Sequence, residues 1–326
     1  MSIYQRLQAG AMLLLLLFCC TLLGACGTGP NGGGGINSAP GITDRFSVVT
    51  IHPLGLVTAT ASCQTGEQML SGGWAVTAPA YQDTVTRGGI AHNIIDEYFI
   101  AASYPSSPNS WTVTFTNQAI GGGNVLGTAH VECLTKGQAP TIVSQSGNAN
   151  SGNTLAVDCP QNMHLTGGGY QLTNVSQANI ASTVIDFKSS TPVGLTRWMV
   201  STDYSIGNLN HFGNNVSVYA VCTSSLTVSA GNTASVSVPA AQQSGVATNA
   251  SGSATCPAGL TPVGSGYQKV NADARAFPIT LFYPSYGTNT PTWATTVYSL
   301  PPLTIDSPPI SSGGTLKVLP LCVAVA

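Results

Sequence analysis

Apolar and polar positions alternate with a period of two along much of this chain. The alternation is cleanest where Trp111, Val113 and Phe115 fall on one face and Thr112, Thr114 and Thr116 on the other. Val216, Val218, Ala220 and Cys222 likewise share a face. A period of two is that of a half-buried antiparallel strand, because successive side chains point to opposite sides of a sheet. Other short runs rich in Val, Ile, Thr and aromatics read the same way: Phe46–Thr50, Val57–Cys63, Tyr98–Ile100, Thr141–Val143, Leu155–Cys159, Thr183–Ile185 and Thr280–Phe282. Gly, Pro, Asn and Ser clusters separate them, and helical periodicity is weak throughout.

This pattern occurs three times. Cys63, Cys159 and Cys256 each open a block, 96 and then 97 residues apart, and an aromatic follows each after eleven residues (Trp74, Tyr170, Tyr267). A Gly-rich step precedes each aromatic: Ser71-Gly72-Gly73, Gly167-Gly168-Gly169 and Gly264-Ser265-Gly266. Glycines beneath a large ring predict a bulge or a close backbone approach. Gly66, Asn162 and Gly259, three residues after the cysteines, predict turns that need positive φ. Further turns are expected at Pro105, Pro192 and Pro284. Each block then carries a Trp (Trp111, Trp198, Trp293), read as core, and closes on Cys133, Cys222 or Cys322.

About six strands in each block point to an all-β fold. The expected architecture is three tandem antiparallel sandwich- or barrel-like modules with one disulfide each: 43–138, 139–234 and 235–326. Separate modules are favoured because each repeat has its own Trp, turn set and cysteine pair. The alternative is closure of the repeats around a pseudo-threefold axis, as in prisms and trefoils.

The N-terminus changes the picture from fold to address. Arg6 precedes an apolar run over Ala11–Leu23, too short for a comfortable membrane span of about 20 residues. The run ends in Leu23-Gly24-Ala25-Cys26. This segment is similar to the lipobox of bacterial lipoproteins. The resemblance covers residues 1–26 and implies cleavage before Cys26, diacylation of its thiol and acylation of the new N-terminus. It further implies anchoring in a cell membrane on the extracytoplasmic side. Residues 27–42, opening with a Gly-rich stretch, read as a flexible tether.

Nine cysteines are present; the lipobox resemblance implies that Cys19 and Cys20 leave with the leader and that Cys26 is the lipid site. The remaining six are even in number, as in exported disulfide proteins. The repeat selects the pairs Cys63–Cys133, Cys159–Cys222 and Cys256–Cys322. Without a CxxC or a recurring His, no metal site is expected.

Charge narrows the function further. Charged residues make up 6% of the 326 residues and the net charge is −2, so no basic patch exists for nucleic acid. His52, His92, His130, His164 and His211 fall at different places in their repeats. No nucleophile elbow or nucleotide-binding loop is present; Gly121–Gly127 lacks the required spacing and reads as a turn. The expectation is a protein without catalytic residues or cofactor. His92, Asp96 and Arg87 in the first repeat are the nearest approach to an active site and carry the weaker reading of a glycan-acting hydrolase. The main reading is binding of a glycan, cell-wall polymer or protein, with Tyr104, Tyr283 and Tyr286 beside prolines as exposed contacts. A purely structural envelope spacer is the remaining alternative.

Overall fold

The computed structural model describes residues 38–39, 41–77, 84–87, 90–93, 98–117, 124–148, 153–173, 175–176, 186–203, 215–239, 248–270, 279–286, 290–299 and 314–324. Everything below refers to these. The lipobox, most of the tether, Asp96 and the strand expected at 183–185 lie outside them.

The described part is all β. A short β1 (Ser38–Ala39) precedes repeat 1, which supplies β2 (Ile42–Ile51), β3 (Leu56–Ser62) and β4 (Gln68–Thr77). The hairpin β5 (Thr84–Arg87) and β6 (Ile90–Asn93) follows, then β7 (Tyr98–Ser107), β8 (Ser110–Asn117) and β9 (Val125–Leu134). Repeat 2 supplies β10 (Thr141–Asn148), β11 (Thr154–Asp158), β12 (His164–Leu172), β13 (Asp186–Val193), β14 (Arg197–Asp203) and β15 (Asn215–Thr223). Repeat 3 opens with β16 (Val228–Ala230), ahead of the expected boundary at 235, and β17 (Ala234–Val238). It continues through β18 (Thr248–Thr255), β19 (Thr261–Val270), β20 (Ile279–Ser285), β21 (Thr292–Ser299) and β22 (Gly314–Val323). Ile42, placed in the tether from sequence, is a fully buried strand residue.

The repeats are not separate modules. The first sheet runs β1-β2-β9-β4-β20-β21-β18, joining repeat 1 to repeat 3. The second runs β10-β15-β12-β7-β8-β3, joining repeat 2 to repeat 1. The third runs β11-β14-β13-β19-β22-β16, with β17 also on β22, joining repeat 3 to repeat 2. Each repeat thus gives its opening, Gly-rich and closing strands to one sheet and three others to the next, while β5 and β6 of repeat 1 pair only with each other. The expectation of independent cores fails because the Gly-rich strand pairs with a neighbouring repeat: β4 with β20, β12 with β7, and β19 with β13. One continuous apolar core results.

The glycines explain this pairing. A Cβ on Gly73 would stand 2.0 Å from the Phe282 carbonyl oxygen, and one on Gly169 1.9 Å from that of Ser103. Only glycine admits so close a neighbouring backbone. Each Gly-rich strand also bulges at the same place, at Leu70, Thr166 and Val263. These bulged residues are buried and bond across repeats; Thr166 Oγ1 donates to the Leu70 carbonyl at 2.7 Å, and Ser71 Oγ to that of Val263.

The three disulfides join Cys63–Cys133, Cys159–Cys222 and Cys256–Cys322. Gly66, Asn162 and Gly259 all have positive φ, at 87°, 63° and 80°. Trp111, Trp198 and Trp293 are core residues, at most 1% exposed. Pro105, Pro192 and Pro284 lie within strands rather than in turns.

Antiparallel pairing fixes which strand ends lie together. The disulfides, the start of β2 and the end of β22 lie at one end of the molecule. The strand ends joined by residues 78–97, 118–124, 173–185, 204–214, 271–278 and 300–313 lie at the other.

Candidate functional site

The three seams between repeats occupy equivalent places, and their side chains differ. In the second sheet, Gly169 of β12 pairs with Tyr219 of β15 and lies beside Tyr104 of β7. The Tyr104 and Tyr219 rings lie 5.1 Å apart at 31°. Gln171 links them, its Nε2 donating to Tyr104 Oη at 3.3 Å and its Oε1 accepting from Tyr219 at 2.8 Å. Tyr104, Gln171 and Tyr219 are all half-buried, and burial pushes the Tyr219 phenol up from its ordinary range.

Hydroxyl pairs flank this centre. On β3 and β8 they are Thr58–Thr114 at 3.1 Å, Thr60–Thr112 at 2.9 Å and Ser62–Ser110 at 2.9 Å. On β10 and β15, Ser146 and Ser217 meet at 2.8 Å. The local pattern dictates their direction: Thr58, Thr60 and Ser62 are exposed while Ala59 and Ala61 between them are buried. None of the six strands contains Asp, Glu, Lys or Arg. This is a broad, uncharged face of hydroxyls, an amide and two tyrosines.

The equivalent seam of the first sheet is titratable. His130 of β9 pairs with Gly73, and the Tyr283 ring stacks on it at 4.4 Å and 10°. Asp44 of β2 accepts from His130 Nδ1 at 3.0 Å and lies opposite Glu132 in the ladder. Glu132 is fully buried; Tyr286 donates to its Oε2, while Oε1 has no hydrogen-bond partner among the described residues. Burial, then the Asp44 carboxylate, pushes the Glu132 carboxyl well above its usual range. Burial and Glu132 push the Tyr286 phenol up in turn. Beside this cluster, a two-pronged bond to Arg45, at 2.6 Å and 2.5 Å, holds Glu67 below the usual carboxylate range. In the third sheet the seam positions are Thr191 and Leu319.

Of the three tyrosines expected as exposed contacts, Tyr104 and Tyr283 are half-buried and Tyr286 is buried. Tyr104 belongs to the uncharged face, half-buried rather than freely exposed. Tyr283 is a stacking partner of His130. Tyr286 is 8% exposed and bonded to Glu132, so it is no surface contact; its partner lies 154 residues away in sequence. His92 and Arg87 fall on the β5–β6 hairpin. Asp44, His130 and Glu132 were not selected by sequence reasoning. One signal was available: Glu132 stands in an apolar closing strand where the other repeats have Val221 and Leu321.

An internal cavity of about 10 Å³ lies between Trp74, Tyr170 and Tyr267 near Trp111 and Trp198. That is the lower bound for one water, far too small for a ligand. Among the described residues, Cys63, Glu67 and Cys133 form a grouping of metal-ligand type, but both sulfurs belong to the disulfide and offer no thiolate. No protein-family model matches the chain, and a search of curated proteins gives no significant match.

Proposed function

We propose that this is a lipid-anchored, non-enzymatic protein of the extracytoplasmic membrane face. Its three repeats close around a pseudo-threefold axis, and its second sheet binds a glycan, cell-wall polymer or partner protein. The observation that carries the reading is the uncharged face centred on Tyr104, Gln171 and Tyr219. Aromatic rings beside neutral hydrogen-bonding groups suit ligands that combine apolar faces with hydroxyls. The anchoring rests on the lipobox-like Leu23-Gly24-Ala25-Cys26 that ends the apolar N-terminal run. The acid cluster of the first sheet serves a seam, since Tyr283 and Tyr286 cover it.

The test is retention of the full chain, in detergent, on purified envelope material. The expected result is retention by the native protein and loss in a Tyr104→Ala/Tyr219→Ala variant that still melts cooperatively. Equal retention of both would refute the assignment of the face. Cys26→Ala should move the protein out of the membrane fraction; unchanged membrane association would refute the anchor.

A further inference from the structure

We infer that the ligand of the second-sheet face is an uncharged polysaccharide chain, laid across the strands over the seam between repeats 2 and 1. The inference rests on the reading of that face as the contact surface and narrows it to one chemical class.

Charge argues first. A phosphate, sulfate or carboxylate brought onto this face would lose water and meet no cation, because the six strands carry neither Lys nor Arg. An uncompensated buried charge is costly, so anionic polymers are disfavoured. Cationic polymers meet no Asp or Glu and fail for the same reason. An uncharged polyol pays neither cost.

Hydrogen-bond capacity argues second. A hydroxyl has one donor and two acceptor sites. Each of the pairs Thr58–Thr114, Thr60–Thr112 and Ser62–Ser110 uses one donor and one acceptor on its internal bond. The Thr58–Thr114 pair therefore keeps one donor and three acceptor sites for a ligand, whereas Thr112 Oγ1 also donates to Ser106 Oγ at 2.7 Å and Ser110 Oγ to Asn109 Oδ1 at 3.3 Å, which leaves the other two pairs as acceptors. Sugar hydroxyls need that mixture of donors and acceptors.

Extent argues third. Six strands about 4.8 Å apart span about 24 Å from β10 to β3, long enough for several linked sugar units. Along this line, Ser146 and Ser217 stand on one side of the tyrosine pair and the Thr58–Thr114 row on the other. The rings lie at the centre, where stacking on a sugar would contribute most. A monosaccharide would reach one part of this line, whereas a chain reaches all of it.

The test uses the full chain with two sets of probes: oligosaccharides of uncharged β-glucan and mannan, and the polyanions heparin and polygalacturonate. The expected result is binding to an uncharged probe that tightens with oligosaccharide length. Its affinity should be unchanged between about 0.05 and 0.5 M NaCl, since no ion pair is screened. Tyr104→Ala should weaken it roughly tenfold or more, Tyr104→Phe much less, and the exposed Thr58→Val/Thr60→Val change should weaken long oligosaccharides more than short ones. Salt-sensitive binding of a polyanion that is lost in Tyr104→Ala would overturn the polymer class and leave the face assignment standing. Binding of a neutral probe that both tyrosine variants retain would overturn the location. No binding to any probe, alongside retention on envelope material that depends on Tyr104, would overturn the polysaccharide and point to a protein ligand.

Discussion

Replacing Glu132 by Gln should stabilise the protein at neutral pH. Glu132 is fully buried, faces Asp44, receives one hydrogen bond from Tyr286 and leaves Oε1 unpaired among the described residues. Among the described residues no cation pairs with it; the nearby Arg45 is bound to Glu67. Its carboxyl therefore holds its proton well above the value of 4.5 that it has when exposed. Between about 4.5 and the raised value at which the folded-state carboxyl ionises, the folded state then binds more protons than the unfolded state. Stability from this group is complete below about 4.5 and falls as pH rises, until the folded-state carboxyl also ionises. Each tenfold difference in proton affinity between the two states is worth about 1.4 kcal/mol, lost over that span as pH rises. Gln has the shape of the protonated acid, can still accept from Tyr286 and has nothing to ionise. Urea unfolding of both proteins from about pH 4.5 to 8 should give curves that coincide in acid and diverge upward, the variant gaining on the order of 1–3 kcal/mol at neutral pH. Glu67 acts in the opposite direction: its stabilisation is present above about 4.5 and lost below it, and it is common to both proteins. A variant less stable than the native protein at neutral pH, or a difference that does not grow with pH, would refute the reasoning.

Gly169→Ala should cost several kcal/mol, because its Cβ would stand 1.9 Å from a backbone oxygen of the neighbouring repeat, and thermal melting would register the loss. Replacing Cys63 and Cys133 by Ala should cost about 4 kcal/mol in denaturant unfolding, since the bond closes a separation of 70 residues. Phe282→Ser tests two effects of opposite sign. Ser103 and Ser190 accept from Trp111 and Trp198 at 3.0 Å, while Trp293 Nε1, with Phe282 in the equivalent place, has no partner among the described residues. Supplying that partner contributes about 1–3 kcal/mol, but removing a ring packed on Trp74, Tyr267 and Trp293 costs about 3–5 kcal/mol. The expected net result is a loss of about 2 kcal/mol, read from the urea midpoint at constant slope; a stabilised variant would reverse the ranking of the two effects.

What could be read from the chain follows a physical division. The cysteine pairs, the positive-φ turns at Gly66, Asn162 and Gly259, and the buried tryptophans recur in the same order in every repeat, the turn residues always three after the opening cysteine, so each is legible within one repeat. The partner of the Gly-rich strand is not. Trp74 would show the same alternation beside a strand of its own repeat as it does beside Phe282. The close approach expected at Gly73 and Gly169 was correct, but the glycine says only that a backbone comes near, not whose. Tyr286 was misjudged for the same reason, its neighbour Proline motif being local and its hydrogen bond to Glu132 distant. The uncharged face was half legible. Tyr104 was selected from its local setting, whereas Gln171 and Tyr219 reach it only through the pairing of β12 with β7.

Strand sharing also orders the events of folding. A chain is made from its N-terminus, and domains made of local contacts can fold as they emerge. Here β4 waits for β20, which lies some two hundred residues downstream. The first repeat therefore emerges with an unsatisfied Gly-rich edge, and the first sheet is completed only when the last repeat arrives. Closing so long a loop before its contacts form is an entropic barrier, which makes the final step slow. The finished molecule should unfold in one transition rather than three, and a chain truncated before β20 should expose a sticky strand edge instead of leaving two intact repeats.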